Sequence, residues 1–275
     1  MAQFSIFSLT DTKYPYIIFV VNIMGIENYC KNSYEFLYFD EIDSTNTYAK
    51  SIAKKGAKEG TVVIAKTQTA GKGRLGRTFF SKLDGIYLSV VLRPKFSAEN
   101  IQFITVAAAV ATANAIDEIC GVNTGIKWVN DIYLNGKKIC GILTETSINT
   151  ETSTTDYAVL GIGINLSLAG NTLPEDIKNI AGFIFENVTD TELKEGLCAK
   201  ILDNFFALYK NLTDKEYIDE YRRRSILIGK EVTCSCGEKV YKATVLDIDE
   251  NARLVVRDLN GEIKFLNAGE VSLKL

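Results

Sequence analysis

The sequence predicts an α+β domain followed by a small all-β domain. Apolar segments with helical and with strand periodicity alternate from Phe36 to Arg224. An Asn-Gly pair at residues 135–136 lies between two strand-like segments, which is typical of a tight β-hairpin. After Arg224 the chain contains only short strand-like segments, separated by turns that include Cys236-Gly237 and Asn260-Gly261.

The predicted elements follow in order along the chain. Ser44, Thr45 and Asn46 offer N-cap side chains to a helix over residues 47–55, which Gly56 ends. The strands predicted next are residues 61–66, 86–92, 131–134, 138–144 and 157–166. Further helices are predicted over residues 98–119, 193–209 and 214–224. The last domain is predicted to contain strands over residues 231–236, 239–247, 253–257, 263–266 and 270–273, a set of the size of an SH3-like barrel.

The first 33 residues do not continue this pattern. Residues 16–24 form an apolar run that is shorter than the roughly 20 residues of a membrane span and lacks the features of a secretory signal. We interpret the run as a short extra strand, or as sequence upstream of a later start at Met24. The predicted organisation is an extension over residues 1–33, a main domain over 34–226 and a β domain over 227–275. Deletion before Phe36 is expected to leave activity intact.

Composition excludes several classes of function. The chain has no histidine, which excludes Ser-His-Asp and Cys-His catalysis and any metal site with histidine ligands. A net charge of -3, from 31 basic and 34 acidic residues, gives no reason to expect a nucleic-acid or membrane partner. The six cysteines are scattered, which predicts reduced, small buried residues in a cytoplasmic protein.

A basic glycine loop, TQTAGKGRLGR, follows the strand predicted over residues 61–66. Gly71 and Gly73 leave backbone amides open to a ligand. Lys72, Arg74 and Arg77 bring three cations that suit phosphate or carboxylate. The spacing is neither a Rossmann fingerprint nor a P-loop. The alternative interpretation is a flexible, solvated basic turn.

Polar residues also flank the predicted hairpin. Trp128, the only tryptophan, lies in the sequence KWVND beside Asn130 and Asp131, and Lys138 and Gly141 lie on the returning strand. Asp131 and Lys138 flank the Asn-Gly turn on its two strands, near enough to interact with each other or with one ligand. Solvated turn residues are the alternative.

A third motif, GIGIN, lies inside the apolar strand predicted over residues 157–166. Glycines within a strand indicate a bulge or a close approach of another group. Asn165 adds a directional amide at the end of the motif. A packed strand that ends in a turn residue explains the pattern equally well.

These three motifs, in this order and with a small β domain behind them, resemble the biotin protein ligases in the form without a DNA-binding domain. The resemblance runs from about residue 36 to the C-terminus, and its most specific motifs are GKGRLGR and KWVND. It implies a mixed, largely antiparallel sheet flanked by helices, like that of class II aminoacyl-tRNA synthetases, with an SH3-like β-barrel after it. The sequence departs from the family at Lys72, where arginine is usual, and at Val129, where proline is usual.

The resemblance also implies a site. It implies that Ser44, Thr45, Asn46 and Gln68 bind biotin, that Lys72 and Arg74 hold phosphate and carboxylate oxygens, and that Asn165 meets the adenylate. Lys138 and Arg74 are the implied catalytic residues. The whole implied site comprises Ser44, Thr45, Asn46, Gln68, Gly71, Lys72, Gly73, Arg74, Trp128, Asn130, Asp131, Lys138, Gly141 and Asn165.

The implied chemistry has two steps. Biotin and ATP form biotinyl-5′-AMP and pyrophosphate, and the mixed anhydride then acylates a lysine of a biotin carboxyl carrier protein of acetyl-CoA carboxylase or a related carboxylase. Mg²⁺ is expected with ATP, and Asp131 is its candidate ligand. Positioning and electrostatic stabilisation suffice for both steps, which suits a chain without histidine.

Two alternatives remain open on the sequence. A lipoate-protein ligase shares the fold and the adenylation chemistry, and a nucleic-acid-binding module would use the basic loop and the small β domain. The ligase interpretation predicts a cytoplasmic monomer or homodimer with no nucleic-acid or membrane partner. It also suggests that an exposed strand edge near the hairpin pairs with the carrier protein.

Overall fold

The structure is a computed structural model of the 275-residue chain. It describes residues 25–82, 84–97, 100–149, 154–187, 190–236, 239–267 and 270–273. The apolar run at residues 16–24 and the expected helix start at residues 98–99 lie outside the described residues.

The described residues form a mixed α+β main domain and a separate β-sheet. The helices are α1 (Thr45–Lys54), α2 (Gln102–Cys120), α3 (Thr191–Tyr209) and α4 (Tyr217–Arg223). The strands of the first sheet are β1 (Glu35–Ile42), β2 (Thr61–Gln68), β3 (Asp84–Leu92), β4 (Gly125–Lys127), β5 (Asp131–Leu134), β6 (Lys137–Asn149) and β7 (Thr154–Ser167). Those of the second sheet are β8 (Glu231–Cys236), β9 (Lys239–Ile248), β10 (Leu254–Asp258), β11 (Ile263–Leu266) and β12 (Glu270–Leu273).

The first sheet has seven strands in the order β1-β2-β3-β7-β6-β5-β4. Among the strands that the structure describes in this sheet, β1 and β2 pair in parallel, and the other strand pairs are antiparallel. The predicted mixed, largely antiparallel sheet is therefore confirmed. The sequence prediction missed β1, and it missed β4, which is only three residues long.

Helices cover both faces of this sheet, because alternate side chains of β2 enter two different cores. Val62 and Ile64 belong to the large core that contains α2 and α3. Val63 and Ala65 point the other way, into a smaller core beneath α1. Of the helices in the described part of the chain, α2 alone is long and apolar enough to cross a membrane, with a mean hydropathy of 1.5, and most of it is buried inside the protein.

Residues 25–34 pack against α3. Ile26 is buried in the large core, and the Gly25 backbone N–H donates to Glu195 Oε1 at 2.8 Å. The Lys31 N–H and the Tyr34 hydroxyl both donate to the carboxylate of Asp203. The later part of the expected extension is thus in contact with the main domain. A deletion before Phe36 would remove these contacts, so we now expect it to lower the free energy of unfolding.

The second sheet is antiparallel throughout, in the order β11-β10-β9-β8-β12. The chain that leads into it covers the free edge of β4, since Ile126 N–H donates to Arg224 O at 2.7 Å and Ile226 N–H donates to Ile126 O at 3.0 Å. The expectation of an exposed strand edge beside the hairpin is therefore wrong at β4. Trp128 Nε1 donates to Ala252 O at 2.9 Å and joins the two sheets.

Some predicted boundaries also change. The helix expected over residues 214–224 is a 3-10 turn, Leu212–Asp214, followed by the shorter α4, because Lys215 adopts a positive φ of 59° between them. Among the cysteines with described side chains, Cys140, Cys198 and Cys234 are buried, as expected, and none of them forms a disulfide with another described cysteine. Cys30 and Cys120 are free but only half-buried.

Candidate active site

A cavity of about 190 Å³ opens between the glycine loop, the start of α1, and the centre of β6 and β7. A volume of this kind has room for on the order of a dozen water molecules, or for part of an organic ligand. All of the predicted site residues line it except Gly71 and Asn165. The three motifs that are separate in the sequence thus meet at one place.

The start of α1 forms one end of the cavity. Ser44 is the N-cap residue, and its Oγ accepts from the Thr47 N–H at 3.4 Å. The Thr45 N–H donates to Gln68 Oε1 at 2.8 Å, while Gln68 Nε2 donates to Ser81 Oγ at 2.8 Å. These two bonds fix the orientation of the buried Gln68 amide.

The side chain of Asn46 is held from two sides. Its Oδ1 lies 2.6 Å from Ser89 Oγ, which donates to it, and its Nδ2 donates to Glu145 Oε2 at 3.1 Å. Gly161 lies directly beneath, because a Cβ atom there would overlap the Asn46 amide. Asn46 is therefore placed by contacts from β3, β6 and β7.

Glu145 is the acidic member of this group. Its Oε1 lies 2.7 Å from Lys50 Nζ. Burial raises the pKa of the Glu145 carboxyl, but hydrogen bonds from Lys50 and Asn46 and the charges of Lys50 and Lys72 outweigh burial and hold the pKa below its usual value. The carboxylate stays ionised as an acceptor for Asn46.

Backbone hydrogen bonds within the glycine loop hold its two sides together. The Gly73 N–H donates to Arg77 O at 2.7 Å, and the Phe79 N–H donates to Gly71 O at 2.9 Å. The Gly73 amide is therefore engaged within the loop, contrary to the expectation of a bare ligand-binding amide. Arg74 Nη1 donates to Asn130 Oδ1 at 3.0 Å and ties the loop to the KWVND motif. This contact does not fit a turn that is only solvated.

Asp131 and Lys138 form an ion pair across the hairpin. Lys138 Nζ lies 2.6 Å from Asp131 Oδ1, and both side chains are about three-quarters buried. Asn130 is fixed beside them, since its Nδ2 donates to Ile142 O at 2.8 Å and its backbone O accepts from the Ile142 N–H at 2.9 Å. The cation of Lys138 is thus held at a defined place on the cavity wall.

Asn165 lies outside the cavity lining. It is buried, and its Nδ2 donates to Gly182 O at 3.2 Å. Its Oδ1 is also buried and has no hydrogen-bond partner in the part of the chain that the structure describes. A buried acceptor without a partner is costly, so this atom is a candidate contact for a ligand that brings a donor.

Several site residues escaped the sequence analysis. Phe79 lies over Gly141 and Gly163, where a Cβ atom would meet its ring. Phe79 and Ser81 follow the glycine loop directly, so their closeness to that motif in the sequence is the signal that points to them. Ser89 and Glu145 carry no such local signal. The cavity is also lined by Val271 and Ser272 of the second sheet.

The charge of the cavity wall is strongly positive. Among the described residues, its lining contains the cations Lys72, Arg74, Arg77, Lys127 and Lys138, against the single carboxylate of Asp131. No group of three or more acidic, cysteine or histidine side chains that would hold a metal occurs among the described residues. The arrangement suits a ligand with several negative charges at one end and a neutral polar group at the other.

Comparison with known proteins adds to this geometry. Residues 38–165 match the Biotin/lipoate A/B protein ligase family, and residues 227–274 match the Biotin protein ligase C terminal domain. The chain is 31% identical over 241 residues to the bifunctional ligase/repressor BirA of Bacillus subtilis (strain 168), covering 86% of this chain and 73% of that protein.

This chain belongs to the biotin protein ligase family. It is also 29% identical over 238 residues to the biotin--[acetyl-CoA-carboxylase] ligase of Mycobacterium tuberculosis, covering 83% of this chain and 85% of that protein. The structure of the biotin protein ligase from Aquifex aeolicus in complex with biotin and ATP is similar, with a TM-score of 0.70 and 27% identity over 87% of this chain and 98% of that one. Relatives named as biotin ligases favour biotin over the lipoate alternative.

Proposed function

We propose that this member of the biotin protein ligase family uses ATP to activate biotin as biotinyl-5′-AMP and transfers it to a lysine of a carrier protein. The observation that carries the proposal is a cavity with neutral polar groups of α1 and β2 at one end and the cations Lys72, Arg74 and Lys138 along its wall. The similarity to an Aquifex ligase described in complex with biotin and ATP supports it.

The neutral end of the cavity suits the ureido ring of biotin. That ring needs matched donors and acceptors, and Ser44, Asn46 and Gln68 supply hydroxyl and amide groups there. Leu88 and Ile162 add apolar surface for the rest of the bicycle. The Asn46 and Gln68 amides are held by other side chains, so the site is pre-organised for one orientation of the ring.

The cationic end suits the reacting groups. In the first step a carboxylate oxygen of biotin forms a bond to the α-phosphorus of ATP, and the bond from that phosphorus to pyrophosphate breaks. Lys138 would neutralise the carboxylate and the charge that develops at phosphorus, and Arg74 and Lys72 would hold phosphate oxygens. Lys72 supplies a point charge where an arginine fork would bind bidentately.

The second step releases AMP. The amine nitrogen of the acceptor lysine bonds to the biotinyl carbonyl carbon, the bond from that carbon to the phosphate oxygen breaks, and the amine loses its proton to solvent. The same cations stabilise the leaving phosphate, so neither step requires a nucleophile from the protein.

Mg²⁺ would reach the site with ATP. Asp131 is the carboxylate of the cavity lining, and it is engaged with Lys138. Since proteins commonly bind Mg²⁺ through one or two carboxylates together with substrate phosphates, Asp131 fits as one ligand of an ion held mainly by ATP.

Asn165 would contact the adenine. Its Oδ1 is a buried acceptor that lacks a partner among the described residues, and the exocyclic amine of adenine is a donor. Adenine binding beside β7 would remove the cost of this unpaired atom.

We further propose that the acceptor lies in a biotin carboxyl carrier domain, as the names of the Mycobacterium tuberculosis and Paracoccus denitrificans relatives imply for those proteins. The enzyme would act in the cytoplasm, with no nucleic-acid or membrane partner.

The test is an ATP-dependent transfer assay with a purified carrier domain, read as a mass increase on its lysine, in parallel with biotin and with lipoate. We expect transfer of biotin, and its loss in Arg74→Ala and Lys138→Ala. Lys66→Ala is the matched control, because Lys66 pairs with Asp40 on the surface and should leave transfer unchanged. Transfer of lipoate in place of biotin would contradict biotin as the substrate. Transfer of neither acid by the folded protein would contradict the proposed ligase activity.

A further inference from the structure

The loop between β7 and α3 touches two site residues through its backbone. The Lys138 N–H donates to Ile180 O at 2.8 Å, and the Gly182 N–H donates to Lys138 O at 2.7 Å. Lys138 therefore has β5 on one side and residues 180–182 on the other. Its backbone is held at both edges of the strand that carries it.

The same glycine holds Asn165. Gly182 O accepts the hydrogen bond from Asn165 Nδ2 at 3.2 Å. One residue thus donates to the backbone of Lys138 and accepts from the side chain of Asn165. Because the Asn165 amide donates to Gly182, its Oδ1 faces away from that bond and remains the unpartnered acceptor described above.

The loop is fixed firmly enough to act in this way. The N–H groups of Ile184 and Phe185 donate to Leu166 O at 3.1 and 2.8 Å, next to Asn165 in the chain. On the other side of Gly182, the Ala181 N–H donates to Ile177 O at 2.8 Å and Lys137 Nζ donates to Asn179 O at 2.5 Å. Contacts on both sides of Gly182 limit its movement.

There is no space for a side chain at this position. A Cβ atom on residue 182 would overlap Cβ of Lys137. That atom is close to the backbone, so it cannot rotate away as the end of a long side chain could. Any larger residue must move either the loop or the start of β6, which carries Lys138.

We propose that Gly182 is a positioning residue that sets Lys138 and Asn165 relative to each other. This inference rests on the proposed function, in which Lys138 acts at the carboxylate and α-phosphate and Asn165 contacts adenine. Gly182 would keep the nucleotide base and the reacting phosphate in register. The residues that hold Asn46 at the biotin end are Ser89, Glu145 and Gly161, and in the described part of the chain none of them contacts Gly182.

The test compares Gly182→Ala with wild type in the adenylation half-reaction, followed as pyrophosphate release. We expect the KM for ATP to rise and kcat to fall, together by about tenfold to a hundredfold, the range that a displacement of about 1 Å can cause. The Kd for biotin measured without ATP should change much less than the KM for ATP, because only the carboxylate of biotin would meet Lys138. A second readout is the preference for ATP over GTP, which should weaken because the orientation of the Asn165 amide is no longer fixed.

Two controls separate positioning from general damage. Gly196→Ala in α3 adds a methyl group where nothing lies within 4 Å. It should leave the KM for ATP, kcat and the Kd for biotin unchanged. Lys137→Gly combined with Gly182→Ala removes the overlapping Cβ and should restore the KM for ATP toward that of Lys137→Gly alone. This rescue keeps the test valid if Gly182→Ala by itself folds poorly.

Wild-type kinetics in Gly182→Ala, or equal loss of biotin and ATP binding without rescue, would overturn the positioning role. Absence of biotinyl-5′-AMP formation by the wild-type protein would instead overturn the proposed function. The two failures are therefore distinguishable.

Discussion

Lys138 Nζ lies 2.6 Å from Oδ1 of Asp131, across the Asn-Gly turn that joins β5 and β6. The pair places a cation at the wall of the cavity, where the biotin carboxylate and the α-phosphate would meet. The ion pair fixes where the ammonium group lies on that wall.

The first prediction concerns this pair. Lys138→Ala should reduce the rate of biotinyl-5′-AMP formation by on the order of 10²–10³-fold, the usual effect of removing one pre-organised donor to a developing charge. The rate is measured as pyrophosphate release in single turnover, and thermal unfolding should show that the protein is folded. Lys138→Arg keeps the positive charge, so its rate of biotinyl-5′-AMP formation should fall less than that of Lys138→Ala. A rate within threefold or so of wild type in Lys138→Ala would contradict the role.

The second prediction concerns Gly161, whose hydrogen faces the Asn46 amide. In Gly161→Ala the added methyl group overlaps Asn46 Oδ1, so Asn46 must leave its contacts with Ser89 and Glu145. Biotin affinity should fall, and the free energy of unfolding should fall by about 1–3 kcal/mol, as is usual for overpacking. Calorimetric titration and denaturant unfolding measure the two effects.

A double variant provides the control for Gly161. Asn46→Ala removes the atom that the new methyl group meets, so the unfolding free energy of Gly161→Ala with Asn46→Ala should be higher than the sum of the single effects predicts. Additive effects would show that the two residues do not collide.

The third prediction is a dependence on pH. The pKa of Glu145 is lowered in the folded protein from its ordinary value of 4.5. A lowered pKa means that the ionised carboxylate stabilises the fold above about pH 4.5, and that this stabilisation is lost as the pH falls through the lower pKa of the folded state. Glu145→Gln should therefore reduce the acid dependence of the unfolding free energy between about pH 3 and 5.

The same variant should affect ligand binding. Glu145→Gln replaces a charged acceptor of the Asn46 amide by a neutral one, so biotin affinity at pH 7 should fall by roughly tenfold, or about 1.4 kcal/mol. Glu175→Gln is a matched control, because Glu175 pairs with Lys178 on the surface. An unchanged acid profile in Glu145→Gln would show that the carboxylate is not coupled to the fold.

The fourth prediction concerns the N-terminal residues. Ile26 is buried in the core beside α3, and deletion of residues 1–34 removes it together with the hydrogen bonds to Asp203 and Glu195. That deletion should lower the free energy of unfolding by more than about 2 kcal/mol, whereas deletion of residues 1–24 keeps these contacts. Ile26→Ala isolates the packing contribution. Equal melting temperatures for the two deletions would contradict the conclusion that residues 25–34 stabilise the main domain.

Local patterns determined much of this protein. The Asn135-Gly136 turn places Asp131 and Lys138 on neighbouring strands, so their proximity could be expected from the sequence. The turn does not fix the whole register, because a shift between Ile132 and Tyr133 pairs Asp131 with Gly141. The spacing of glycines and cations in residues 67–77 likewise predicts an anion-binding loop, and its Lys72 and Arg74 do line the cavity. Anion binding by the loop stays a prediction. In each case the interacting residues lie within a few positions of one another, where backbone geometry leaves few arrangements.

Only the tertiary structure decided the rest. Asn46 meets Glu145 and Ser89 across 99 and 43 residues of chain, and Gly182 meets Lys138 across a loop with no regular periodicity. These contacts depend on the order and register of β3, β6 and β7 in the sheet. Side-chain periodicity tells which face of a strand is buried, but it does not tell which strand lies next to it.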